Sequence, residues 1–170
     1  MLSALFLSLG FILPMLTGQI PVIGKALLPM HIPVLLCGLI CGSRYGAAIG
    51  FILPIFRSLL FSVPTMYPTA IAVAFEMAVY GLFTGLLYCR SKRKTIICLY
   101  SSLIIAMICG RIVRCITEMA LLGLQGDAFS WHSFLTGVII ASVPGIIIQL
   151  TLIPMIIIML YRAELLNFQK

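Results

Sequence analysis

Three charged side chains, Arg111, Arg114 and Glu118, sit inside the apolar run GRIVRCITEM from Gly110 to Met119. At about 100° per residue they share one helical face, spread over about 60°. A charge within a membrane-length segment costs roughly 3 kcal/mol on insertion scales and normally faces a partner or a watered cavity. Two further ionisable residues, Arg57 and Glu76, lie in other apolar runs. Such a set binds rather than breaks bonds. The sequence holds no Walker-type glycine loop, no nucleophile elbow, no HExxH and only four acidic residues, so no enzyme activity is expected.

The elements that carry these charges must be membrane helices. Of 170 residues, 62% are hydrophobic and 9% charged, whereas soluble domains are nearer a quarter charged. Apolar runs of about 20 residues, long enough to span, recur along nearly the whole chain. A single transmembrane domain over 1–170 is expected, all-α, with about six helices. The N-terminus lacks a basic region before its apolar run and reads as a first spanning helix rather than a signal peptide. The net charge of +7 reports topology, not nucleic-acid binding, because Arg90, Lys92, Arg93 and Lys94 cluster between two apolar runs without an ordered basic face and stacking aromatics. The six cysteines lie in or beside apolar segments. Without histidine or carboxylate at ligand spacing they read as packing residues, and no metal is expected.

Punctuation by glycine, proline and polar residues predicts helices over 2–16, 34–42, 45–62, 69–88, 95–122 and 131–161, the last bent by Pro144, Gly145 and Pro154. The longer connections are 17–33, 62–68 and 122–131. With the basic cluster on the cytoplasmic side, an even number of spans puts both termini inside, together with Arg44, Arg162 and Lys170. Arg57, Glu76, Arg111, Arg114 and Glu118 then fall in the outer half of the bilayer at comparable depths.

Two readings of that layer are open. In one, Arg57 pairs with Glu76 and Arg114 with Glu118, as structural salt bridges. That leaves Arg111 unpaired, and an orphan cation in hydrocarbon needs an anion. In the other, a small acidic ligand entering from outside supplies it. Lys25 and His31, in the first outer loop, are placed to close over such a ligand or to face solvent. Gln19 and Tyr67 are candidates for the pocket mouth, and Trp131 for an interfacial anchor or a stacking partner. Gln149 is expected too far inward for the site, bonding another helix instead. Small residues spaced by four, such as Gly38 and Gly42, Gly46 and Gly50, and Gly81 and Gly85, predict close helix packing.

LPMHIPVLLCGLICG (Leu28 to Gly42), YGAAIGFILP (Tyr45 to Pro54), PTAIAVAFEMAVYGLFTGLLY (Pro68 to Tyr88) and SVPGIIIQLTLIP (Ser142 to Pro154) together resemble the substrate-binding S components of energy-coupling factor (ECF) vitamin transporters, in the pantothenate- and folate-type branch. The resemblance implies a helical bundle in a prokaryotic plasma membrane, with one vitamin-like ligand held beneath the outer loops. It also implies a partner complex of a transmembrane coupling protein and two cytoplasmic ATPases, which carry the ATP and magnesium. This chain itself then needs no cofactor. In the family, small residues on the first helix meet the coupling protein, and Ala4 and Ser8 match that spacing. Several vitamins carry a carboxylate suited to these arginines. Pantothenate, a small acid with hydroxyl and amide groups, fits a pocket richer in bases than aromatics. A stand-alone small-anion transporter or channel, and a membrane assembly subunit with purely structural charges, are the alternatives.

Overall fold

The computed structural model describes residues 1–16, 30–90, 96–125 and 143–162. Six helices account for nearly all of them: α1 (Leu2–Leu16), α2 (His31–Cys41), α3 (Ser43–Phe61), α4 (Ile71–Arg90), α5 (Ile96–Gln125) and α6 (Val143–Arg162). Helix is the form these apolar runs must take in lipid, since it satisfies every backbone N–H and C=O within the segment. Four segments, Ser43–Phe61, Met66–Arg90, Ile96–Gly123 and Val143–Arg162, are long and apolar enough to cross a bilayer. At 11 residues α2 is about 16 Å long, too short to cross alone.

Helix α2 begins three residues earlier than its sequence predicts. Pro33 is no obstacle there, because it occupies the first turn, whose N–H groups have no intrahelical acceptor. His31 is therefore not a loop residue but the first residue of α2, and it is buried. A single residue, Gly42, joins α2 to α3 with φ 98°, a left-handed value that glycine adopts without steric cost.

Helix α4 is the centre of the bundle, with α3 and α5 packed along it. Glycines set the first of these contacts. A Cβ on Gly46 would stand 2.6 Å from Gly38 Cα and 2.8 Å from the Gly81 carbonyl oxygen, and one on Gly50 would strike the backbone of Met77. Backbones of α2, α3 and α4 thus meet with no side chain between them, the close approach that four-residue spacing of small residues permits in membranes. Gly46 opposite Gly81 and Gly50 opposite Met77 also fix α3 and α4 as antiparallel. Continuing that register places Arg57 opposite Ala70.

Helix α5 shows two distinct faces. Ile104, Ile105, Ile108, Ile112 and Ile116 are exposed, a lipid-facing stripe, whereas Ser102, Leu103, Ala106, Met107 and Gly110 are buried against the bundle. Helix α6 buries Gly145, Gln149, Ile153 and Ile157, one side of a helix at four-residue spacing. Near its end Tyr161 lies in electrostatic range of Tyr88 on α4. Between α3 and α4 the chain turns through Ser62–Thr65 and a single wide turn at Met66–Ala70. Ser58 Oγ donates to the Pro64 carbonyl at 2.7 Å, and the Ala70 amide to Thr65 at 2.9 Å, so this connection is tied down by its own hydrogen bonds.

Candidate functional site

The ionisable side chains of α4 and α5 converge on Glu76. Its side chain is fully buried. Arg114 Nη1 donates to Oε2 at 2.9 Å, and Arg111 Nη1 stands 3.2 Å from Oε1. The Tyr80 hydroxyl donates to Oε1 at 2.7 Å. Arg114 also reaches Glu118 through Nε at 3.5 Å. Gly110 makes this possible: a Cβ there would overlap the Tyr80 ring, so only glycine lets α5 come near enough for both arginines to reach across.

The pairing differs from the structural alternative read in the sequence. Arg114 with Glu118 is formed, but Glu76 takes Arg111 and Arg114 in place of Arg57. Register explains why. Arg57, opposite Ala70, lies six residues beyond Glu76 along α4, about 9 Å nearer the Ser62–Ala70 connection. The five charges therefore occupy two tiers rather than one layer. Arg57 is only 7% exposed, yet among the described residues it forms no ion pair or hydrogen bond. Arg111 has a counter-ion without a directed hydrogen bond: its side chain is 15% exposed, and neither Nη1 nor Nη2 finds an acceptor.

Other predicted site residues divide sharply. His31 is 1% exposed and stacks on Tyr80 with ring centroids 5.4 Å apart, which puts it inside the bundle beside Glu76 rather than in a covering loop. Tyr67 donates its hydroxyl to the Leu121 carbonyl at 2.7 Å and so ties the α3–α4 connection to the end of α5. Gln19, Lys25 and Trp131 lie outside the described residues. Ala4 and Ser8 are exposed on α1, on the side away from buried Phe6.

Gln149 departs from the interhelical bond expected of it. It is 1% exposed, and its Nε2 has no hydrogen-bond partner among the described residues. Twelve residues separate Tyr161 from Gln149, and twelve separate Tyr88 from Glu76. With Tyr161 in electrostatic range of Tyr88, equal helical rise puts Gln149 near the level of Glu76. The signal was present in the sequence as a lone amide in an apolar helix, but its depth required knowing how α6 is placed along the bundle.

The opposite end of the bundle is basic. Arg44 and Arg90 line the same open recess of about 620 Å³, beside Ser43 and Tyr45. Glu76 is 14 residues from Arg90, about 21 Å, and thus beyond the midplane of a hydrocarbon layer of about 30 Å measured from that end.

A family of proteins described as the substrate-specific component of the ECF transporter matches residues 1–160. The chain belongs to this family. It is thus a substrate-binding transporter subunit rather than an enzyme, and a multi-pass protein of the cell membrane, working with a membrane partner module that contains ATPases. The S-component assignment agrees with the architecture: a helical bundle in its described residues, with the charges inside the apolar helices gathered towards one end. No individual curated protein and no solved structure matches the chain.

Proposed function

We propose that this S component captures a small carboxylate-bearing vitamin or vitamin precursor, pantothenate above all, from the extracellular side. The observation that carries the proposal is Arg57: a residue only 7% exposed that forms no ion pair or hydrogen bond among the described residues. A buried cation is tolerated only with compensation. The two tiers hold three arginines and two glutamates, so one positive charge is left over for a ligand. Arg111 adds N–H groups that lack acceptors.

Orientation supports capture from outside. Excess basic residues at the Arg44 and Arg90 end mark it as cytoplasmic, with both chain termini on the same side. Arg57 then stands near the extracellular surface, and Arg111, Arg114 and Glu76 form the floor beneath it. Lys25, Gln19, Tyr67 and Trp131 belong, in this reading, to the mouth and its covering loops. An extended acid with amide and hydroxyl groups along its length suits two tiers better than a flat aromatic ligand. Transport requires the partners: Ala4 and Ser8 on α1 dock the transmembrane coupling protein, and two cytoplasmic ATPases use ATP and magnesium.

A thermal-shift series on the detergent-purified protein tests the reading. Pantothenate should raise the melting temperature by mass action, about 2.7 kcal/mol of stabilisation at a hundredfold excess over Kd. Its neutral alcohol analogue, pantothenol, should raise it far less. A response to another acidic vitamin instead would change the substrate, and silence towards every acid would overturn capture of an anion. In vesicles the isolated chain should bind without accumulating ligand. Accumulation without ATPase partners would favour a stand-alone transporter.

A further inference from the structure

Beyond the arginines, the lower tier contains a second kind of unsatisfied group. Gln149 Nε2 is a neutral amide donor on a residue 1% exposed, with no acceptor among the described residues. Burying such a donor unpaired destabilises a protein, and an apolar side chain of similar size at that place would be free of the penalty. No polar side chain among the described residues accepts from it; Glu76 is hydrogen-bonded by Tyr80 and Arg114 instead. Gln149 projects from the side of α6 that also buries Gly145 and Ile153, so it points into the bundle and not towards lipid. Interhelical bonding, the usual role of an amide in a membrane helix, is not what its Nε2 does here.

The geometry points to Gln149 as a specificity-determining residue that donates from α6 to an uncharged oxygen of the ligand. This rests on the proposed capture of a small acid and sharpens it: the ligand must carry a carbonyl or hydroxyl oxygen besides its carboxylate. Recognition is divided between the tiers. Arg57 near the mouth reads the charge, while Gln149 and the free N–H groups of Arg111 on the floor read neutral acceptors. A simple carboxylate of matching charge would leave the amide unpaired and be rejected, because a site built to hydrogen-bond discriminates strongly against ligands that lack the partner.

Gln149→Met removes the amide at nearly constant volume and separates this role from a structural one. Without ligand, the variant should melt about 2 °C or more above the wild type, since an unpaired buried donor has been removed. Its affinity for pantothenate should fall about tenfold. The affinity ratio of pantothenate to pantothenol should stay as in the wild type, because Gln149 does not read the carboxylate; in Arg57→Gln that ratio should collapse. Unchanged pantothenate affinity in Gln149→Met, or a lower melting temperature of the free variant, overturns the assignment. Should the wild type bind no pantothenate, the substrate proposal fails by itself. The melting comparison still decides whether Gln149 is an unsatisfied donor (a rise) or a structural bond (a fall).

Discussion

Gly110 and Tyr80 fit together as a socket and a ring: the Tyr80 side chain occupies the space that a Cβ on residue 110 would need. The same tyrosine donates its hydroxyl to Glu76, so this one contact sets both the separation of α4 from α5 and the position of the buried carboxylate. Gly110→Ala must push the ring aside. Overpacking of this kind costs about 1–3 kcal/mol, and the melting temperature should fall by several degrees with a parallel loss of acid binding. An unchanged melting curve would mean that α5 can move away freely.

Glu76 and Arg57 should behave in opposite ways. Glu76→Gln leaves Arg111 and Arg114 buried without their shared counter-charge, a loss of about 3–5 kcal/mol for a broken buried pair. Arg57→Gln breaks no bond, so the ligand-free protein should melt at the same temperature or higher while pantothenate affinity drops at least tenfold. Thermal melting of the two purified variants, with and without pantothenate, checks both. Equal destabilisation would show that Arg57 has a structural partner.

Arg111 and Arg114 are adjacent on one face but differ in role. Arg114 bridges Glu76 and Glu118, with directed hydrogen bonds to both; Arg111 has none. Hydrogen bonds to charged groups contribute about 1.5–3 kcal/mol each. Arg114→Gln should therefore lower the melting temperature further than Arg111→Gln, and Arg111→Gln should cost more in ligand affinity. Reversal of either order would contradict the assignment of roles.

The α2–α3–α4 junction admits no side chain at Gly46 or Gly81. Gly81→Ala would set its new methyl against the Gly46 backbone, which cannot yield as a flexible side chain can. Loss of folded, monodisperse protein in size-exclusion chromatography is expected, and Ala78→Gly provides a control on the same helix. Normal elution of Gly81→Ala would show that the helices separate readily.

Ala4→Leu tests the partner surface. Ala4 is exposed on α1, so the larger side chain should leave ligand binding and melting unchanged while abolishing ATP-dependent uptake by the assembled transporter. Normal uptake would place the coupling-protein contact elsewhere.

Composition and spacing alone determined that this chain is a bundle of membrane helices and roughly where those helices break, and singled out Arg57, Glu76, Arg111, Arg114 and Glu118 as its charges within apolar runs. These follow from local physics: apolar length demands helices in lipid, proline and glycine end them, and a charge among apolar residues is conspicuous in one dimension. The sequence also carried the likeness to ECF S components. Which charges meet was a different matter. Glu76 chose Arg111 and Arg114 over Arg57 because glycine contacts set the register between helices, and no single helix encodes that offset. His31 moved from loop to core, since Pro33 fits a first helical turn as well as it fits a loop. Gln149, expected to bond another helix, is buried with its Nε2 unpaired among the described residues, which no single segment could reveal. Helix identity is a property of a segment, whereas register and depth belong to pairs of segments, and only the tertiary fold sets them.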